Sequence, residues 1–280
     1  MGFVRDNKEF TDGSKQIATS DLASKVGKPD EIRITLFQHL EELRKRLLWS
    51  VVFFVGVFII CFIFADKLLL VAIGPHLKVA SWFRKENIKF SQELISLTYL
   101  APFMAYLKLA LIFALFFSSP FTAYQIWKFV GAGLYKNERR YVLIFAPFSF
   151  ILFIAGSLFG YFLLVPYGLY FLAKYADPNI LTLQFSLSSY LDFMLWLTIV
   201  MGIVFQLPLI MIFFSLIGLI KPSTYIKVWK YVIVIIFFVS AVVTPGPDIF
   251  SQCAMAIPLC FLYVIGIIGS KLVGASRTPE

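Results

Sequence analysis

Histidine, cysteine and charge are scarce in this chain of 280 residues, and each scarcity closes off a class of function. There are two histidines, His39 and His76, and no HExxH pattern, so an intramembrane metal site or a histidine-based triad has no raw material. The three cysteines, Cys61, Cys253 and Cys260, fall inside apolar runs without CxxC or metal-ligand spacing. They read as small core residues, not as a disulfide framework. No Asp-rich cluster is present, so no metal, no other cofactor and no enzymatic activity are expected. Charged residues make up 15% of the chain, with a formal net charge of +9. The bases sit at the ends of apolar runs and not in a stripe interleaved with aromatics, which argues against nucleic acid as a partner.

What the chain has is apolar residues, 60% of the sequence with a mean hydropathy of +0.84, where a soluble domain holds roughly half. The expected fold class is all-α, a polytopic membrane protein with six transmembrane helices. Residues 1–34 are polar and mixed in charge, with neither a signal-peptide core nor the acid-poor character of an organellar transit peptide. They read as a flexible cytoplasmic extension, with 35–271 as the membrane domain and 272–280 as a cytoplasmic tail.

The first span is expected from about Leu47 to Ala65, about 19 residues and long enough to cross. A structured outer loop with short interfacial helices follows, to Leu100. The second span, Phe103 to Tyr124, contains Pro120, whose missing N–H must be offset by neighbours, and gives way to a loop from Gln125 to Arg140. The third, Tyr141 to Val165, carries the small-xxx-small face Gly156-Ser157-Leu158-Phe159-Gly160 and is closed by Pro166. After an outer loop turning at Asp177-Pro178-Asn179, the run Phe193 to Ile220 exceeds what a perpendicular helix needs and must tilt, kink at Pro208 or project. The last two spans are short. Tyr231 to Val243 would rise only about 20 Å, Thr244-Pro245-Gly246-Pro247-Asp248 turns the chain, and Ile249 to Gly269 returns.

Bases near the spans set the orientation. Arg44 to Arg46, the four bases between Lys128 and Arg140, Lys221, Lys227, Lys230, Lys271 and Arg277 outnumber those of the opposite side, so both termini are expected to be cytoplasmic. The first outer loop, with Lys67, Lys78, Arg84, Lys85 and Lys89, runs against that bias.

Four features stand out as candidate sites. Ahead of the first span, Glu41 and Lys45, and Glu42 and Arg46, sit four apart with the acid first, the orientation in which helical ion pairs help. Such pairs serve either a membrane-entry helix or a binding rim. A second charge cluster, Lys136 to Arg140, holds the single acid Glu138. Lys108 lies just inside the second span and either snorkels or serves a pathway. Gln206, deep in the fourth apolar run, needs a hydrogen-bonding partner on a neighbouring helix or a ligand.

Three motifs in order carry a resemblance: His39-Leu40-x-Glu42-Leu43-Arg44-x-Arg46; then Tyr124-Gln125-x-Trp127-x-Phe129 leading to Gly133-Leu134-Tyr135-x-x-Glu138-Arg139; then Thr244-Pro245-Gly246-Pro247-Asp248 with Gln252 and Ala256-Ile257-Pro258. From about Leu36 to Lys271 the chain resembles the TatC component of the twin-arginine protein translocase. The resemblance implies a receptor for signal peptides with consecutive arginines. It would assemble with TatA- and TatB-type single-span proteins and further copies of itself, among membrane lipids, to move folded proteins at the expense of the proton-motive force. It implies a bacterial cytoplasmic membrane in preference to a thylakoid. Glu42 and Glu138 would hold the arginine pair, with Arg44, Arg46, Gln125 and Phe129 around them. The chemistry suits this, because a carboxylate meets a guanidinium fork with two parallel hydrogen bonds that lysine cannot reproduce. Gln206, where many members carry glutamate, and the hairpin residues Thr244, Asp248 and Gln252 would dock partner helices, unless the hairpin is buried against the chain's own fourth span. A secondary transporter is the alternative function, but it would show broken helices in matching halves and ionisable groups at midplane. The breaks at Pro120, Pro147, Pro208 and Pro258 align in no repeat.

Overall fold

The computed structural model describes residues 36–86, 90–91, 93–133, 139–174, 184–244 and 249–275. The chain divides into two units, Met1–Glu41 and Glu42–Glu280, and the first contributes only the opening turn of one helix to the described residues. Helix α1 spans Leu36–Ile63. It breaks at Phe64, whose N–H still reaches the Ile60 carbonyl at 3.3 Å while its own carbonyl accepts from Lys67 N at 3.0 Å and so starts the next helix. That helix, α2, covers Ala65–Lys85. It is one 21-residue helix where short interfacial helices were expected. Its buried Ala65, Ala72, His76, Val79 and Phe83 recur at helical spacing, so one face packs inward and the other is left outward.

Helix α3, Ala101–Ala132, continues eight residues past Tyr124, into the segment expected to be a loop. Gly131 does not stop the helix, because Trp127 is buried on its inner face against Phe145 and Phe213, with ring centroids 4.9 and 5.0 Å away, and the helix ends only at its cap, Gly133. Helix α4, Arg139–Phe159, runs through a π-helical turn, Gly160–Leu164, into α5, Val165–Lys174. Pro166 therefore does not close the third span. It lies at the second position of α5, where its missing N–H is tolerated because the chain has already widened into the π turn. Helix α6, Leu187–Val204, and α7, Leu207–Leu216, are separated at Phe205 and Gln206, so of tilt, kink and projection the long run includes a kink ahead of Pro208. Helices α8, Pro222–Val243, and α9, Ile249–Ala275, complete the fold.

Among the described residues six stretches are long and apolar enough to cross a membrane: His39–Ile63, Ala101–Ala132, Ile144–Lys174, Leu187–Leu216, Pro222–Val243 and Ser251–Val273. The chain is a multi-pass, all-α membrane protein. The last two spans, of 22 and 23 residues, are the shortest. The fifth still reaches crossing length, because its helix includes the amphipathic turns from Pro222 to Lys230 that precede the apolar run.

Helices α4 and α6 pack closely through small residues. A Cβ on Gly156 would stand 2.5 Å from the Met201 carbonyl oxygen, and one on Gly160 3.1 Å from Thr198 Cα, so the small face of the third span lies directly on the backbone of the fourth. Helix α1 is at the opposite extreme. Cys61, set against Ala110 and Ala114 of α3, is its one buried side chain among the described residues. At the end of the bundle where α1 passes into α2, two short strands pair in parallel, β1 (Leu94–Ile95) with β2 (Phe185–Ser186), matching Leu94 to Phe185 and Ile95 to Ser186. Phe90 stacks on Phe83 at 4.9 Å and on Phe185 at 4.7 Å, welding this cap to α2.

Proline inside a helix orphans the carbonyl four residues earlier, which in lipid no water can satisfy. Three such carbonyls have found side-chain donors. Pro120 frees Phe116 O, which accepts from Ser119 Oγ at 2.6 Å. Pro75 frees Val71 O, which accepts from Tyr161 Oη at 2.5 Å. Pro166 frees Phe162 O, which accepts from Lys78 Nζ at 3.5 Å. Ser119→Ala should therefore destabilise the protein by about 0.6–1.7 kcal/mol, the range for hydrogen bonds inside membrane proteins. The same substitution in a Pro120→Ala background, where the backbone N–H is restored, should cost almost nothing; equilibrium unfolding of the four variants in detergent checks this.

Candidate functional site

The rim at the start of the first span is built by helical spacing. Glu42 and Arg46 are one turn apart on α1 and form an ion pair, with both Arg46 Nε, at 3.2 Å, and Arg46 Nη2 donating to Glu42 Oε1. The pair is partly shielded, the Glu42 side chain being 29% and that of Arg46 15% exposed. Arg46 Nη1 is buried without a hydrogen-bond partner among the described residues. The Arg46 carbonyl also accepts from Ser50 Oγ at 3.0 Å. Arg44 is exposed and, two residues from Glu42, projects from the other side of the helix. Only Arg46 of the two is brought to Glu42.

Gln125 and Phe129 lie on the last turns of α3 and not in a loop. They are four residues apart, hence on one face, and both are half-buried. Glu138 and Asp248 lie outside the described residues.

Gln206 finds its partner on the neighbouring helix. Its Oε1 accepts from Ser149 Oγ at 2.7 Å and its Nε2 donates to the Ser149 carbonyl at 2.9 Å, a two-point clasp between the α6–α7 break and α4. The pair opens onto a groove of about 490 Å³ between α1, α3, α4 and the α6–α7 break. Ser50, Ser118, Ser119 and Thr122 bring hydroxyls to it, and its lining begins at Leu47, one residue beyond Arg46. Sequence reasoning missed this groove. The signal was present in Ser118-Ser119-Pro120-x-Thr122, three hydroxyls set inside an apolar run.

The hairpin residues are engaged inside the chain. Thr244 is buried, with its Oγ1 donating to the Ser240 carbonyl at 2.8 Å. Gln252 Nε2 donates to the Phe237 carbonyl at 3.0 Å, tying α9 to α8. Trp196 of α6 donates through Nε1 to the Val243 carbonyl at 2.8 Å, one of the orphan acceptors at the end of α8. Thr244 and Trp196 also line an open groove of about 990 Å³. Lys108, expected to snorkel or to serve a pathway, meets Asp192 of α6 at 2.5 Å, with both side chains well exposed. Among the described residues no three of His, Cys, Asp and Glu gather as metal ligands.

The family model for the Sec-independent protein translocase protein (TatC) matches residues 38–258. The chain is 35% identical over 234 residues to "Sec-independent protein translocase protein TatC" of Koribacter versatilis, covering 84% of each chain. To the protein of the same name from Campylobacter jejuni it is 37% identical over 231 residues, covering 82% of this chain and 91% of that one. A solved structure described as "Crystal Structure of Twin Arginine Translocase Receptor- TatC" superposes with a TM-score of 0.71 at 33% identity, over 84% of this chain and 99% of the other. The chain belongs to the TatC family.

The Ser149–Gln206 clasp gives a double-mutant cycle. Ser149→Ala and Gln206→Leu should each destabilise the protein, and the double variant should be less costly than their sum, by about 0.6–1.7 kcal/mol of coupling, measured by thermal unfolding of the purified chain.

Proposed function

We propose that this TatC-family chain is the signal-peptide receptor of a twin-arginine translocase. It sits in a bacterial cytoplasmic membrane with both termini on the cytoplasmic side, and works with TatA- and TatB-type single-span partners and further copies of itself to move folded proteins. The observation that carries the reading is the Glu42 carboxylate, which already accepts a guanidinium through Nε and Nη2 in a partly shielded setting. Partial exclusion of water strengthens a charge-assisted bond and rewards the planar fork over a lysine point charge. Arg46 thus models the ligand's head, and an arriving arginine competes with it for Glu42. Glu138 is assigned the second arginine, and Phe129 and Gln125 a flank of the site. The groove starting at Leu47 offers the apolar core that follows the charged region of a leader a place against four helices. Arg44, exposed on the far side of α1, is assigned to the surrounding positive rim.

The hairpin is assigned to partner docking through its backbone and apolar surface. The side-chain hydrogen bonds of Thr244 and Gln252 are spent within the chain, but the groove of about 990 Å³ beside Thr244 is open. Gln206 and Asp248 belong to the same assignment, with Gln206 contributing by holding α4 to the α6–α7 break.

With the full chain in nanodiscs, a signal peptide bearing two arginines should bind at least tenfold more tightly than its two-lysine version. Glu42→Gln should remove most of that difference, in line with about 1.5–3 kcal/mol for a hydrogen bond to a charged group. Equal affinity for both peptides, or full export by a Glu42→Gln, Glu138→Gln double variant, would overturn the assignment. A photo-crosslinker placed at Thr244 should capture a single-span partner; adducts confined to this chain would remove the docking role.

A further inference from the structure

The outward face of α2 carries more positive charge than the orientation rule allows for that side, and its geometry gives the charge a use. Lys67, Val71, Lys78 and Lys85 follow one another at intervals of four, seven and seven residues, which places them on a single exposed stripe. Among the described residues none of these lysines has a carboxylate within ion-pair distance. Lys78 is held at the surface by two contacts, its Nζ donating to the carbonyl freed by Pro166, Phe162 O, at 3.5 Å and standing 5.5 Å from the Trp82 ring centroid. An ammonium has three donors, so most of its capacity remains for an anion.

Directly beside it, between α2, α3, α4 and α6, is a groove of about 270 Å³. Its floor is buried Ala72, Ile112 and Met194, and its rim is exposed Val71, Leu158 and Phe162. Three hydroxyls border it and all are spent within the chain: Ser157 on the Phe153 carbonyl at 2.8 Å, Thr198 on the Met194 sulfur at 3.9 Å and Tyr161 on the Val71 carbonyl at 2.5 Å. A water needs two to four polar partners, and this groove offers none, so its fitting occupant is a hydrocarbon chain. Its height in the membrane agrees. From Arg139, where α4 begins, to Phe162 the helix rises about 35 Å, a little more than the roughly 30 Å of the hydrocarbon layer. Lys78 therefore stands at headgroup level on the side away from the termini.

We propose that this groove is a binding site for one anionic phospholipid of the leaflet away from the termini, an acyl chain lying between α3 and α4 and the phosphate held by Lys78. Net negative charge on the headgroup is required because no carboxylate on this stripe balances a choline or ethanolamine ammonium. The site stands independently of the signal-peptide assignment.

The test is native mass spectrometry of the full chain released from membranes of equal phosphatidylglycerol and phosphatidylcholine with identical acyl chains. The wild type should retain phosphatidylglycerol at least threefold over phosphatidylcholine. Lys78→Gln should bring the ratio near one, and Lys78→Arg should keep it. Ile154→Trp, which fills the groove and leaves every charge in place, should lower retention of both lipids. Equal retention of the two lipids by the wild type, or an unchanged ratio in Lys78→Gln, would overturn the proposal. So would competition by free glycerophosphoglycerol as effective as that of the whole lipid, which would make this a soluble-anion site, or a crosslink from Ile154 to a partner helix in place of lipid.

Discussion

A carbonyl group in hydrocarbon must be answered from within the protein, and the arrangement of this molecule follows from how that demand is met. Pro120 releases such an acceptor inside a span and Ser119 answers it, while Pro75 and Pro166, nearer the membrane surface, each release one that Tyr161 and Lys78 answer. Two of the three answers come from another helix, so the same bonds that repair the backbone also fix α2 against the third span. Tyr190 adds a further one, donating to the Ala72 carbonyl at 2.6 Å in the turn before Pro75. The polar side chains of the membrane region are in large part accounted for this way. Gln206, Trp196 and Gln252 likewise donate to main-chain oxygens of neighbouring helices.

Much of this was legible in advance, and the misses share a cause. Span number, the Gly156–Gly160 packing face, the kink ahead of Pro208 and the Glu42–Arg46 pair could be read because each depends on composition or on spacings within one or two turns. The end of the second span could not, since apolarity falls off after Tyr124 while the helix persists through the burial of Trp127. Pro166 misled for the opposite reason: a local helix-breaking rule was overridden by a π turn and a lysine from α2. Nor does sequence pattern announce a two-residue strand pair, or an ion pair such as Lys108–Asp192 whose partners are 84 residues apart.

At the rim, the legible part was the chemistry of one carboxylate and its helical neighbour. Less legible was that Gln125 and Phe129 would stand on a continuous helix, where their relative orientation is set by the 3.6-residue repeat and not by a loop. Membership of the TatC family now rests on the match over residues 38–258 and on a superposable solved fold.

The parallel pairing of Leu94–Ile95 with Phe185–Ser186 has a consequence for biogenesis. The first strand leaves the ribosome long before the second, and two membrane spans separate the early half of the cap from the segment that completes it. Until the fourth helix is being inserted, Tyr190 cannot reach Ala72 and Phe90 has no Phe185 to stack on. Closing so long a loop is entropically slow, so the cap is a late event in synthesis, and its closure reports that the preceding helices have threaded the bilayer in the correct order.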